Sequence, residues 1–327
     1  MFKLSNKITK KYFPTFGLIL FFIVLIFGMS VTCSHTRIYD NSTLKFAQIS
    51  DVHLDFGECE NKARMLVDSK HLLEDAIDQI NSVKNLDFVL FSGDMINKPI
   101  ESYFTTFLGM ANSIKAPWYL VMGNHDIGIN SSFNKARFLE LYSDYNKNFK
   151  GNKSYYSFVP KRGYIVIVMD GVIDSKITAN GYFNRQQLNW LDNTLRDYKN
   201  SKAIIVQHFP VVEPFKSETH RVKNAKEYLS VLNKHKNVLL VLSGHYHTTK
   251  ITRVGNTIHV STPALVEYPD SFRIITISNK NNHIAVNFKF METNLKDIQL
   301  KSKQKSGSPS RAIGKEEDRN TTIIVNN

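Results

Sequence analysis

An α/β layered domain is the fold class this sequence predicts, from three observations. Five apolar runs, at 44–49, 88–91, 118–121, 203–206 and 238–242, have the length and hydrophobicity of buried strands. Helical patterns alternate with them, over about 62–83, 102–113, 132–142, 184–198 and 225–234. Ligand-type residues follow each run, and in an open α/β sheet the carboxyl ends of the strands face a crevice where such residues converge.

The chain begins with Lys3, Lys7, Lys10 and Lys11, then an unbroken apolar stretch at 16–27, then Gly28-Met29-Ser30-Val31-Thr32-Cys33-Ser34. Basic, apolar and small-residue segments in that order mark a secretory signal. Counted on to Val31, the stretch nears the roughly 17 residues needed to cross a bilayer. Residues 1–34 therefore read as a signal peptide or an N-terminal membrane anchor. Positive charge ahead of the segment puts the remainder on the extracytoplasmic side, exported or periplasmic, with membrane association through this segment if it is retained. Cys33 is read as unmodified rather than lipidated, which leaves Cys59 a lone thiol and no role for disulfides.

With 327 residues, 42% hydrophobic and 22% charged, the chain can bury one full catalytic domain, set at 44–292. The formal charge of +13 comes from scattered lysines and reads as compositional bias. Aromatic residues are not interleaved with them as stacking on single strands would need, so nucleic acid is not an expected partner. The polar stretch at 301–327 is expected to be a disordered tail.

The motifs carry the chemistry. Asp51-Val52-His53 follows the first run, and an extended backbone would send both side chains to one side. After the second run comes Gly93-Asp94-Met95-Ile96-Asn97; the Asp94 carboxylate has two oxygens with which to bridge two cations. The third leads into Gly123-Asn124-His125-Asp126, the fourth into Gln207-His208-Phe209-Pro210, the fifth into Gly244-His245-Tyr246-His247. Asp51, His53, Asp94, Asn124, His208, His245 and His247 form a mixed nitrogen and oxygen set without thiolate, which suits two divalent ions, manganese, iron or zinc. Such a pair activates water for attack on phosphorus. His125, next to a ligand, points toward substrate as the catalytic residue, stabilising developing charge and protonating the leaving oxygen. Asp126 or the residue at 97 would orient it. His35, His71, His220, His235, His259 and His283 read as structural.

Through these five ordered motifs the chain resembles the calcineurin-like metallophosphoesterase superfamily over 44–277, and within it the class III cyclic-nucleotide phosphodiesterases and manganese-dependent ADP-ribose diphosphatases. The resemblance implies a four-layer αββα sandwich, two mixed sheets flanked by helices. It implies one metal on Asp51, His53, Asp94 and His247, another on Asp94, Asn124, His208 and His245, and His125 as catalytic histidine. Many relatives carry Asp where this chain has Asn97, which implies a less basic His125 unless Asp126 takes over its orientation. In the segment 261–269, Glu267 and Tyr268 either shape the substrate pocket or form a turn with Tyr268 on the core.

The expected function is an exported dinuclear-metal phosphohydrolase acting on a phosphodiester or phosphomonoester. The alternatives are a nuclease or envelope-polymer or lipid-headgroup phosphodiesterase, and a non-catalytic metal- or phosphate-binding surface module. Intact His125 speaks against the last, and oligomeric state is left open.

Overall fold

The computed structural model describes residues 43–57, 63–280 and 282–326. Its first half runs β1 (Thr43–Ile49), α1 (Ser69–Asn81), β2 (Phe88–Phe91), α2 (Glu101–Ala111), β3 (Trp118–Leu120) and α3 (Lys135–Tyr145). Next come β4 (Tyr156–Phe158), β5 (Tyr164–Val168), α4 (Arg185–Asp197), β6 (Lys202–Val206), α5 (Ala225–Leu232), β7 (Val238–Ser243), β8 (Lys250–Val254) and β9 (Thr257–Ser261). The chain finishes with β10 (Ser271–Lys280), β11 (His283–Glu292), α6 (Lys296–Lys305), α7 (Pro309–Ile313), α8 (Glu316–Arg319) and β12 (Thr321–Asn326).

These strands make two six-stranded sheets, ordered β12-β11-β10-β1-β2-β3 and β4-β5-β6-β7-β9-β8. Both are mixed. β1, β2 and β3 are parallel, as are β5, β6, β7 and β9, while β4, β8 and β10 to β12 run antiparallel to their neighbours. Alternate residues of each inner strand enter different cores. Phe46, Leu90, Val166, Ile204 and Leu242 join one buried cluster, whereas Ala47, Val89, Ile165, Ile205 and Val241 join another that includes Leu73 of α1, Phe104 of α2 and Leu191 of α4. The first cluster lies between the sheets and the second beneath the helices, which gives the expected four-layer αββα sandwich. Burial on both faces is why the strands read as continuous apolar runs rather than alternating ones.

Local chemistry sets the helices. In α4, Leu188, Leu191 and Leu195 fall on one buried face, and the Asn184 side chain caps the N-terminus by accepting from the Gln187 amide. α1 starts later than its periodicity suggests; ahead of it the Met65 amide donates to the Val266 oxygen at 2.8 Å.

The tail expected to be disordered is built into the fold. β12 pairs antiparallel with β11, the Ala312 oxygen accepts from the Thr249 amide at 2.9 Å, and Asp318 accepts from the Ile251 amide at 2.9 Å. Main-chain pairing orders this segment, and composition does not register it. No helix among the described residues is long and apolar enough to cross a membrane. The signal or anchor expected at 1–34, Cys33 and Cys59 lie outside the described residues.

Candidate metal centre

The parallel strands end at one place. Asp51 and His53 follow β1, Asp94 follows β2, Asn124 and His125 follow β3, His208 follows β6, and His245 and His247 follow β7. Pairing continues past the strands, with the Asp51 amide on the Gly93 oxygen at 3.0 Å, His53 on Asp94 at 2.9 Å, and Gly244 on His208 at 3.0 Å. The backbone here is not the extended one expected around Asp51 and His53. Asp51, His53, Asp94, His245 and His247 have φ of 52°, 43°, 54°, 70° and 47°. Left-handed backbone at a non-glycine residue costs roughly 1–3 kcal/mol and persists where surrounding structure over-determines it. Five such residues converging on one crevice mark a site held for function. Gly93 and Gly244 permit the close approach: a Cβ on Gly93 would strike the His208 ring, and one on Gly244 would strike Ser50 and Asp51.

Two clusters of candidate ligands result. In one, His247 Nε2 lies 3.1 Å from Asp51 Oδ1 and 3.4 Å from His53 Nε2. In the other, His208 Nε2 lies 3.2 Å from Asp94 Oδ2 and 3.1 Å from His245 Nδ1. Asp94 Oδ2 is also 3.6 Å from His53 Nε2, which places this carboxylate between the clusters. Asp51, His53, Asp94 and His208 are buried.

The donor chemistry fits a cation. The ring nitrogens facing away are each placed against an acceptor: His208 Nδ1 on the Ser92 oxygen at 2.9 Å, His245 Nε2 on the Ala179 oxygen at 2.7 Å, His247 Nδ1 on Glu267 at 2.9 Å. These tautomers turn lone pairs inward, and two imidazole lone pairs at 3.1 Å repel unless a positive charge lies between them. Asn124 adds a buried side-chain oxygen with no hydrogen-bond partner in the described structure. Burial disfavours charge on His208 and His247, yet the carboxylates of Asp94 and Asp51 raise His208 to about 9, and Glu267 with Asp51 raises His247 to about 10. The pocket favours positive charge, carried by protons or by metal.

A second layer of residues braces these candidate ligands. Burial opposes ionisation of Glu267, but His247 and Arg64 outweigh it and hold the carboxylate at about 2. Arg64 Nε donates to Glu267 at 3.3 Å, and its Nη1 donates to the Asn97 side chain at 3.0 Å. Asn97 in turn donates to Asp55 at 2.6 Å. Tyr268 is buried, with the Lys303 ammonium over its ring, so within the segment 261–269 Glu267 supports the centre and Tyr268 packs.

His125 stands beside this set, its ring edge-on to His53 at 4.7 Å. Its Nδ1 lies 2.8 Å from the main-chain oxygen of Asn97, while its amide donates to Asp94 Oδ1 at 2.9 Å. Among the described residues no side-chain carboxylate is hydrogen-bonded to this ring, which departs from two expectations. Asp126 is taken up by the amides of Asp94, Ile96 and Gly123 at 3.0, 3.2 and 2.7 Å, joining the β2 and β3 loops. At 97 it is the main-chain oxygen that meets His125, while the side chain is engaged by Arg64 and Asp55.

Sequence reasoning missed Arg64, Asp55 and the position of His220, whose ring lies 5.2 Å from that of His245. None of the three stands in a strand-end motif, so no sequence signal marked them.

Comparison with known proteins agrees with this geometry. A family model described as calcineurin-like phosphoesterase matches residues 44–249. A protein of Moraxella catarrhalis named probable cyclic nucleotide phosphodiesterase is 27% identical over 218 residues, 64% of this chain and 74% of that one. One of Arcobacter nitrofigilis named probable glycerophosphodiester phosphodiesterase is 28% identical over 227 residues, 66% and 76% of the two chains. Among solved structures, a dimetal phosphatase from Danio rerio superposes with a TM-score of 0.58 at 19% identity, covering 77% of this chain and 99% of its own. That last likeness bears on the fold.

Proposed function

The chain belongs to the calcineurin-like phosphoesterase family and is a metal-dependent phosphoester hydrolase; from this we propose an exported phosphodiesterase with two divalent ions, manganese, iron or zinc, in its two ligand clusters. The observation that carries the dinuclear reading is the pair of inward-facing clusters sharing Asp94. Asp51, His53, Asp94 and His247 would hold one ion, and Asp94, Asn124, His208 and His245 the other. Ions so held supply Lewis acidity to a phosphoryl group and lower the pKa of water to the neutral range.

The residues do the rest. With Nδ1 donating to the Asn97 oxygen, His125 would act through Nε2, where an imidazolium would stabilise charge growing on the phosphoryl oxygens and pass its proton to the departing alcohol. Glu267, Ser92 and Ala179 fix the ligand rings, so little reorganisation is left for the reaction.

A phosphodiester is the proposed substrate class, supported by the two differently named diesterase relatives. Hydrolysis of bis-(p-nitrophenyl) phosphate should exceed that of p-nitrophenyl phosphate after reconstitution with manganese, iron or zinc; faster monoester turnover with every metal would reverse the assignment. Export rests on the basic and apolar order of residues 1–34. A fusion of these residues to an alkaline phosphatase reporter should be active, and an inactive, cytoplasmic fusion would overturn export.

A further inference from the structure

A buried arginine lies apart from the metal ligands. Arg273 of β10 is opposite Gln48 of β1 and shares its side of the strand with Ile275 and Ile277, which face the core between the sheets. It is 0% exposed. Its Nη2 comes within 3.4 Å of the Ser261 oxygen, while Nε and Nη1 have no hydrogen-bond partner among the described residues.

Charge is what makes this site informative. Burial lowers the Arg273 pKa to about 10 against the opposing pull of Asp318, so the side chain stays cationic at neutral pH. An uncompensated buried charge costs several kcal/mol. Asp318 does not supply the contact, since its oxygens are taken by the amides of Ile251 and Lys315 at 2.9 and 3.2 Å and by Lys250 at 3.2 Å. The Gln48 side-chain oxygen is also unpaired, but a neutral amide does not balance a charge.

Two buried hydroxyls are near in the chain. Thr262, adjacent to the residue whose main chain touches Arg273, and Ser271, two residues along the same face of β10, are both 0% exposed, and their hydroxyl oxygens lack partners in the described structure. A hydroxyl rotates to donate where an acceptor is offered.

We propose that Arg273, with the hydroxyls of Thr262 and Ser271 as further donors, holds a small monovalent anion of the halide class between the sheets and separate from the metal centre. The guanidinium supplies two unpartnered donors and the balancing charge, and its complete burial among packed side chains favours a compact ion over a larger oxyanion.

The test uses the full chain, with chloride exchanged for gluconate at constant ionic strength. An ion bound only by the folded state raises Tm with its concentration, by roughly 2 to 4 °C per tenfold rise above its dissociation constant. Arg273→Met should lose this dependence. Equal Tm in both salts, or an Arg273→Met protein that keeps the chloride response, would overturn the proposal. If that variant does not fold, the parent refolded in bromide and crystallised decides: an anomalous peak within about 3.5 Å of the guanidinium supports the site. Water alone at that position overturns it.

Discussion

His208 Nε2 and His245 Nδ1 face one another at 3.1 Å, each ring with its other nitrogen set against a main-chain oxygen. The fold therefore sets two ring nitrogens against each other with a proton or a cation needed between them. Chelation should lower Tm, because the apo chain must either protonate one ring or bear the repulsion. His208→Ala should reduce bound divalent metal by about one ion per chain, read by elemental analysis of folded protein. Unchanged metal content would remove His208 from the ligand set.

His125→Ala separates catalysis from binding. The ring lies beside the clusters with Nδ1 committed to Asn97, so its loss should leave metal content intact and lower kcat by about 10² to 10⁴. A full rate at full metal content would assign the proton transfer elsewhere.

Asn97→Asp bears on the second layer. The side chain accepts from Arg64 and donates to Asp55 at 2.6 Å, and a carboxylate in its place would face Asp55 with like charge. Stability should fall by about 1–3 kcal/mol, read by denaturant unfolding. The rate should stay within about threefold, because His125 rests on the backbone oxygen at 97. A tenfold gain in rate would show that side-chain charge at 97 does act on His125.

Asp270 predicts a pH dependence of stability. Burial raises this carboxyl to about 8, with the Ser302 hydroxyl donating to it at 3.1 Å in partial opposition. An acid whose folded pKa lies above its unfolded value of about 3.9 binds more protons when folded across that interval. Its contribution is fully present below about pH 4 and is lost as pH rises through about 8. Asp270→Asn keeps an acceptor for Ser302 and removes the charge, so the variant should gain on the parent in Tm from pH 5 to about 8. Parallel Tm curves would contradict a buried neutral carboxyl.

Much of this molecule was legible in sequence because two periodic signals coincided. Runs such as 203–206 and 238–242 are apolar on both faces, and His208, His245 and His247 follow them directly, so strand and candidate ligand announce each other. The antiparallel part of the first sheet was less legible. β11 alternates buried and exposed residues with Lys289 and Asn287 on its outer face, and β12 carries Thr and Asn, so neither resembles the inner strands. Arg64 and Asp55 reach the centre from irregular chain, where neither spacing nor hydrophobicity reports position. Backbone roles were the least visible: the Asn97 oxygen that orients His125 would be there with any residue at 97.

Dinuclear catalysis requires both candidate ligand clusters to be filled for turnover, which one titration tests. Metal-stripped full-length chain is titrated with manganese while bound metal and hydrolysis of bis-(p-nitrophenyl) phosphate are followed together. Dinuclear catalysis predicts little turnover at the first equivalent and a steep rise as the second is taken up. Folded protein that binds no manganese, iron or zinc, or that hydrolyses the diester equally well after chelation, would contradict it.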